Sequence, residues 1–162
     1  MSTILRLVAA LIVLVGAFGT VFFLGMRARW SPVLTAVKKM NRNVTNPLQM
    51  KKAGTPGAYA GIIRHVGRSS GTPYETPITP IPADDDFLFM LPYGTSPDWL
   101  KNVTAAGSGE LVTEGVTYAV DNPRIVDTEA AMPFLSERDQ KTANLFNMED
   151  FLLVHNAGTI DA

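Results

Sequence analysis

The spacing of apolar residues changes character along this chain. From Leu7 to Met26 it is unbroken, LVAALIVLVGAFGTVFFLGM, without one charge. As a helix such a run would cross a hydrocarbon core of about 30 Å, so it predicts a membrane-spanning segment. Beyond it, Ser31-Pro32 supplies an N-cap followed by proline, and Val33, Val37, Met40 and Val44 recur on one helical face with Lys38, Lys39 and Arg42 elsewhere. A short amphipathic helix is expected, ending before Asn46-Pro47 because the residue ahead of proline avoids helical backbone angles. Such a helix either packs on the domain or lies on a membrane surface.

Further on, the pattern becomes strand-like. Runs rich in β-branched and aromatic residues fall at Tyr59–Val66, Tyr74–Ile81, Phe87–Leu91, Leu111–Glu114, Thr117–Val120 and Phe151–Val154. Ala83-Asp84-Asp85-Asp86 and Glu114-Gly115 read as hairpin turns, which gives those acids a structural role. Ser96-Pro97-Asp98 ahead of Trp99 predicts a helix to Ala106, stopped by Gly107. Asp127–Arg138 predicts a second, started by Asp127 or Thr128. Short antiparallel strands with few helices make the fold mainly β, a small barrel or sandwich behind an N-terminal transmembrane helix. The expected organisation is an anchor over 1–30, an amphipathic helix and linker over 31–57, and a β-domain over 58–162.

Charge changes this picture more than composition does. Among 162 residues the formal charge is only −1, yet no acidic residue occurs from Met1 to Tyr74. That half carries Arg6, Arg27, Arg29, Lys38, Lys39, Arg42, Lys51, Lys52, Arg64 and Arg68. The asymmetry points to an anionic partner, whether lipid headgroup, nucleic acid or charged ligand. No aromatic-interleaved basic motif supports nucleic acid. Only Arg6 and the terminal amine precede the apolar run, whereas five cations follow it by Arg42, which places the domain on the cytoplasmic face of the membrane. The run exceeds the roughly 7–15 residues of a signal-peptide core and no A-x-A-like site follows, so an uncleaved single-pass anchor is expected. Cysteine is absent, which excludes disulfides and thiolate metal sites. His65 and His155 are the only histidines, and no close His/Asp/Glu set suggests a metal. His65 is expected at a strand end with no carboxylate to orient it, and His155 at the surface.

One break between strands has its own chemistry. In HVGRSSGTPYETP, His65 to Pro77, glycines leave backbone N–H groups approachable, serines add hydroxyls and Arg68 adds a fixed cation. The stretch lacks the lysine and the following helix of a P-loop, so it is either a strand–loop–strand anion site or a plain turn. Taken with Thr76-Pro77 and with Trp99-Leu100-Lys101-Asn102, the order GR-x-[ST]-G, T-P, W-x-x-N resembles the deazaflavin-dependent nitroreductase and quinone reductase family. The resemblance runs from about Ala58 to Val126.

The resemblance implies a split β-barrel of the flavin-binding type and hydride transfer from reduced coenzyme F420 to a quinone or nitro-compound. It also implies that Arg68, Ser69 and Ser70 take the cofactor phosphate and that Thr76 and Pro77 lie beside the ring. The Tyr93-Gly94-Thr95-Ser96 loop would face the polar edge of the ring, and Trp99 and Asn102, one helical turn apart, would face the cofactor. No catalytic acid is identified. The chain departs from some members in having Ser69 in place of Lys, and it has no tyrosine after Tyr118. The alternatives are a non-catalytic barrel storing a flavin, deazaflavin or fatty acyl ligand, and a reductase using FMN. Exposed strand edges also suggest a homodimer.

Overall fold

The computed structural model describes residues 3–160. Helix α1 spans Thr3–Arg27, and none of its most apolar stretch is buried. It is the one helix among the described residues long and apolar enough to cross a membrane. After a turn at Arg29, whose φ is +51°, α2 (Ser31–Met40) folds back on its end. Gly25 makes that contact possible, since a Cβ there would lie 2.5 Å from Val33 Cγ2.

The expected stop before Asn46-Pro47 does not occur. Helix α2 runs through a π-helical turn, Asn41–Thr45, into α3 (Asn46–Gln49) with Pro47 in its first turn. The Asn46 N–H bonds five residues back to Asn41 O, and this widened turn takes up the proline ring that a regular helix would push against a carbonyl.

Seven strands follow: β1 (Gly61–Val66), β2 (Pro73–Ile78), β3 (Ile81–Ala83) and β4 (Asp86–Met90), then, beyond helix α4 (Asp98–Ala106), β5 (Ser108–Thr113) and β6 (Val116–Val126), and finally β7 (Phe151–Thr159). The expected strand Tyr74–Ile81 is thus two strands, broken at Thr79-Pro80, where proline has no N–H for a ladder. All neighbours are antiparallel, in the order β2-β1-β5-β6-β7-β4-β3. The outer two, β2 and β3, are joined by two residues that can span only about 11 Å between Cα atoms. In a flat sheet they would stand about 29 Å apart. The sheet must therefore roll into a barrel whose seam lies at Thr79-Pro80. Strand β6 bends with it through two irregularities, one around Asn122 (φ +48°) and Pro123.

Between β6 and β7, the expected single helix Asp127–Arg138 is two. Asp127 caps α5 (Thr128–Ala131) by accepting from the Ala130 N–H. A 3₁₀ turn containing Pro133 then ends in extended Leu135, and Ser136 caps α6 (Glu137–Leu145). Proline and a fresh capping serine reset the chain direction. Helix α4 ends as expected at Gly107, in the left-handed conformation at φ +71°.

Two apolar cores lie on opposite faces of the β4–β7 pair. Phe89 and Leu152 join Ile63, Leu100, Val103 and Leu111 inside the barrel, whereas Leu88 and Phe151 face Ala131, Leu135 and Ala143 beneath α5 and α6. Burial on both faces explains why FLFM and FLLV read as continuous apolar runs rather than alternating ones. Phe151→Ala and Leu152→Ala should each destabilise the domain by about 3–4 kcal/mol despite pointing opposite ways, and half-buried Leu153→Ala by less. Urea unfolding of the three variants checks this, and a cheap Phe151 or Leu152 substitution would contradict two-sided burial.

Candidate functional site

Alternation along β1 decides which side chains reach the barrel interior. Ile63 and His65 point inward and are buried, whereas Arg64 points out. Arg64 donates to Glu75 at 2.9 Å and Glu110 at 3.3 Å, on the two strands flanking β1. It belongs to the outer surface and not to a ligand site, and hydrogen bonds to both carboxylates raise its pKa further.

His65 stacks on Tyr74, with ring centroids 5.8 Å apart, and its two nitrogens are both engaged. Nε2 lies 3.1 Å from Thr76 Oγ1 on β2, and Nδ1 lies 3.1 Å from Asn102 Nδ2 on α4. Asn102 is also buried, and its Oδ1 accepts from the Arg68 backbone N–H at 3.2 Å and from Arg68 Nη1 at 2.9 Å. Arg68 completes the set with Asp98 Oδ1 at 3.2 Å from Nη2. One amide therefore ties the loop, the helix and both strands together.

The loop is a closed tip. Gly67 N–H donates to Thr72 O and Gly71 N–H to Gly67 O, both at 2.8 Å. A Cβ on Gly67 would collide with Ser70 Oγ and lie 2.9 Å from the Tyr74 ring. Ser69 and Ser70 are exposed, and Ser70 Oγ accepts from the Thr72 N–H.

These groups border an open cleft of about 1620 Å³. Of the residues singled out from sequence, Arg68, Ser69, Ser70, Thr76, Pro77, Tyr93, Ser96, Trp99 and Asn102 all line it. Gly94 and Thr95 do not. Gly94 is buried, and a Cβ there would lie 3.8–3.9 Å from Asp150 and Arg29, on the side where α1 joins the domain. Trp99 is half-buried and edge-on to Phe89 at 6.4 Å, so it braces the core while bordering the cleft. Tyr93 accepts from Asn41 Nδ2, and burial pushes its phenol pKa up although that bond acts the other way.

Sequence reasoning missed two contributors. Lys38, Lys39 and Arg42, expected on a helix that either packs on the domain or lies on a membrane surface, line the cleft, and Lys38 Nζ donates to Ser96 Oγ at 3.1 Å. His65 was set aside for want of a carboxylate, yet an amide and a hydroxyl hold it instead. The signal available was its inward register beside Ile63, two residues away.

No protein-family model matches the chain, and no curated protein matches it. Solved structures with a similar fold include a conserved hypothetical protein from Mycobacterium tuberculosis, 13% identical, covering 64% of this chain and 76% of the other at a TM-score of 0.49. An F420-H2 dependent reductase is 12% identical over 60% of this chain and 94% of its own, with a TM-score of 0.45. A Clostridium acetobutylicum protein of the pyridoxinephosphate oxidase family, related to general stress protein 26, is 10% identical over 67% and 77%, with a TM-score of 0.44.

Burial lowers the His65 pKa below its ordinary 6.5. The unfolded chain then takes up a proton at a pH where the folded one does not, so stability falls as pH drops from about 6.5 toward the folded value. Thermal unfolding between pH 7.5 and 5 should show this loss, and His65→Gln should flatten it. Asn102→Ala, which strands the buried ring and the Arg68 N–H, should cost about 1–3 kcal/mol in urea unfolding.

Proposed function

We propose that this protein is a membrane-tethered oxidoreductase whose cleft holds reduced coenzyme F420 against a lipophilic acceptor such as a quinone or nitro-compound. The observation that carries the reading is the meeting, in one cleft, of the Arg68 loop, Thr76-Pro77 and Trp99-Asn102 with the cations of α2. A planar ring with an anionic tail suits that division. Trp99 and Pro77 offer flat apolar surface, while Arg68, Lys38, Lys39 and Arg42 offer positive charge to a phosphodiester and glutamate tail. When bound, the deazaflavin supplies the hydride at C5. The chain's own work is to bind, orient and keep donor and acceptor in contact.

Helix α1 bears on the acceptor side. Met26, in its last turn, lines the same cleft, as do Phe134 and Phe146 near α6. Phe23 of α1 packs on Phe146 at 6.0 Å, and Arg27 Nη1 donates to the Asn144 and Leu145 carbonyls at the end of α6. An apolar helix docked beside an apolar cleft wall favours an acceptor dissolved in the bilayer, with the domain on the cytoplasmic side as the flanking cations imply. FMN, with one phosphate and no glutamate tail, would leave more of the α2 cations unmatched, which makes it the second choice of cofactor.

A phosphate at Arg68 would compete with Asp98 for the guanidinium. Fluorescence titration of the full chain in detergent micelles should therefore show salt-sensitive binding of F420, weakened about tenfold or more by Arg68→Ala and strengthened by Asp98→Asn. Unchanged affinity in Arg68→Ala would remove that residue from the site. Oxidation of the bound reduced cofactor by an added quinone, absent without protein, separates this reading from a storage barrel.

A further inference from the structure

The hydrogen bonds around Asn102 have a direction. Arg68 can only donate, through its backbone N–H and Nη1, so the Asn102 atom facing it is the carbonyl oxygen and the amide nitrogen faces His65. An amide nitrogen can only donate. Nδ1 of His65 must then be the accepting, unprotonated nitrogen, and the ring proton sits on Nε2, pointing at Thr76 Oγ1. That oxygen has one lone pair taken from inside, which leaves its proton free to donate; among the described residues no other hydrogen bond engages the Thr76 hydroxyl, and Thr76 borders the cleft.

We propose that the Thr76 hydroxyl, accepting from His65 on its inner side, offers its proton to the cleft, its polarity set through Asn102 and His65, so that the ligand atom it binds is an acceptor: a carbonyl oxygen or an unprotonated ring nitrogen. The inference requires a ligand in the cleft but not the cofactor named above. A second proton on the imidazole would face the Asn102 N–H₂ and break the chain, and turning the amide over would set its N–H₂ against two Arg68 donors. The groups around the ring agree. Tyr74 and Thr76 reach it from β2 and Asn102 from α4, while behind the amide the Arg68 guanidinium, partly offset by exposed Asp98, opposes a further positive charge. Burial of the ring acts in the same sense.

Nitrogen-15 NMR of the full chain, histidine-labelled and in detergent micelles, reads the polarity directly and without any ligand. The expected result is a neutral His65 with its proton on Nε2, persisting as pH falls below 6.5. A proton on Nδ1, or a doubly protonated ring at neutral pH, would overturn the proposal. Asn102→Asp replaces the donor by a carboxylate and should move the proton to Nδ1 or protonate both nitrogens; an unchanged ring would show that Asn102 does not set the tautomer. With F420 and FMN as probes, Thr76→Ser should bind within about threefold of the parent and Thr76→Val about tenfold or more weakly. Full affinity in Thr76→Val would refute the donor role. If neither probe binds the parent protein, the cofactor reading fails, while the ring tautomer still decides the polarity.

Discussion

The rest of the site depends on one buried amide. Asn102 stands between a guanidinium that can only donate and an imidazole that can accept, and its two ends match them in the one orientation that satisfies both. Through it, α4 is fixed against β1, and the Arg68 loop is fixed against α4 although the two are 34 residues apart. Without the amide the loop would be an exposed tip held by its own backbone bonds and the exposed Arg68–Asp98 pair, and the buried ring would lose the donor to Nδ1. Inside a protein such unmatched groups are costly, which is why a network of this kind tends to be complete or absent. Among the described residues no buried side-chain nitrogen or oxygen lacks a partner.

Barrel closure gives that amide its place. Because β2 and β3 are both sheet edges and neighbours in sequence, the sheet rolls, and α4 settles on β1, β5 and β6 with Leu100 and Val103 in the core. The face of α4 that carries Trp99 and Asn102 then overlooks the seam near Thr76. Helix α2 and the π turn after it border the same cleft, held by Asn41 to Tyr93 and Lys38 to Ser96. The cleft is thus a consequence of two devices: a two-residue corner with proline, and a helix that turns back sharply at Gly25 and Arg29.

Much of this is legible in the sequence. The unbroken apolar run, the strand runs and the Gly107 stop depend on local pattern, and local pattern reads well. What failed was wherever tertiary geometry overrode it. Pro47 is carried inside a helix because a π turn widens ahead of it. Strand β6 is far longer than Thr117–Val120 because its second half, polar and containing Pro123, pairs with β7 rather than β5. Residues of the GRSSG, TP and WLKN motifs meet at one cleft, yet Gly94 and Thr95, adjacent to Tyr93 in sequence, do not line it. Spacing along a loop does not say which side of the loop faces a cavity.

The charge asymmetry along the sequence is redistributed by the fold. An acid-free first half suggested an anionic partner, but several of its cations already have one within the chain. Arg29 pairs with Glu149 and Asp150, Arg64 with Glu75 and Glu110, and Arg68 with Asp98. All of these acids come from beyond Tyr74, so the imbalance along the sequence is partly cancelled across the fold. Exposed pairs of this kind contribute little to stability, about 0–1 kcal/mol each, but they fix where charge is not available. Among the described residues Lys38, Lys39 and Arg42 form no ion pair, and all three border the cleft. The positive charge left for a ligand therefore lies mainly on α2. Arg68 stands apart from it, its charge partly offset by an exposed carboxylate that solvent can readily receive.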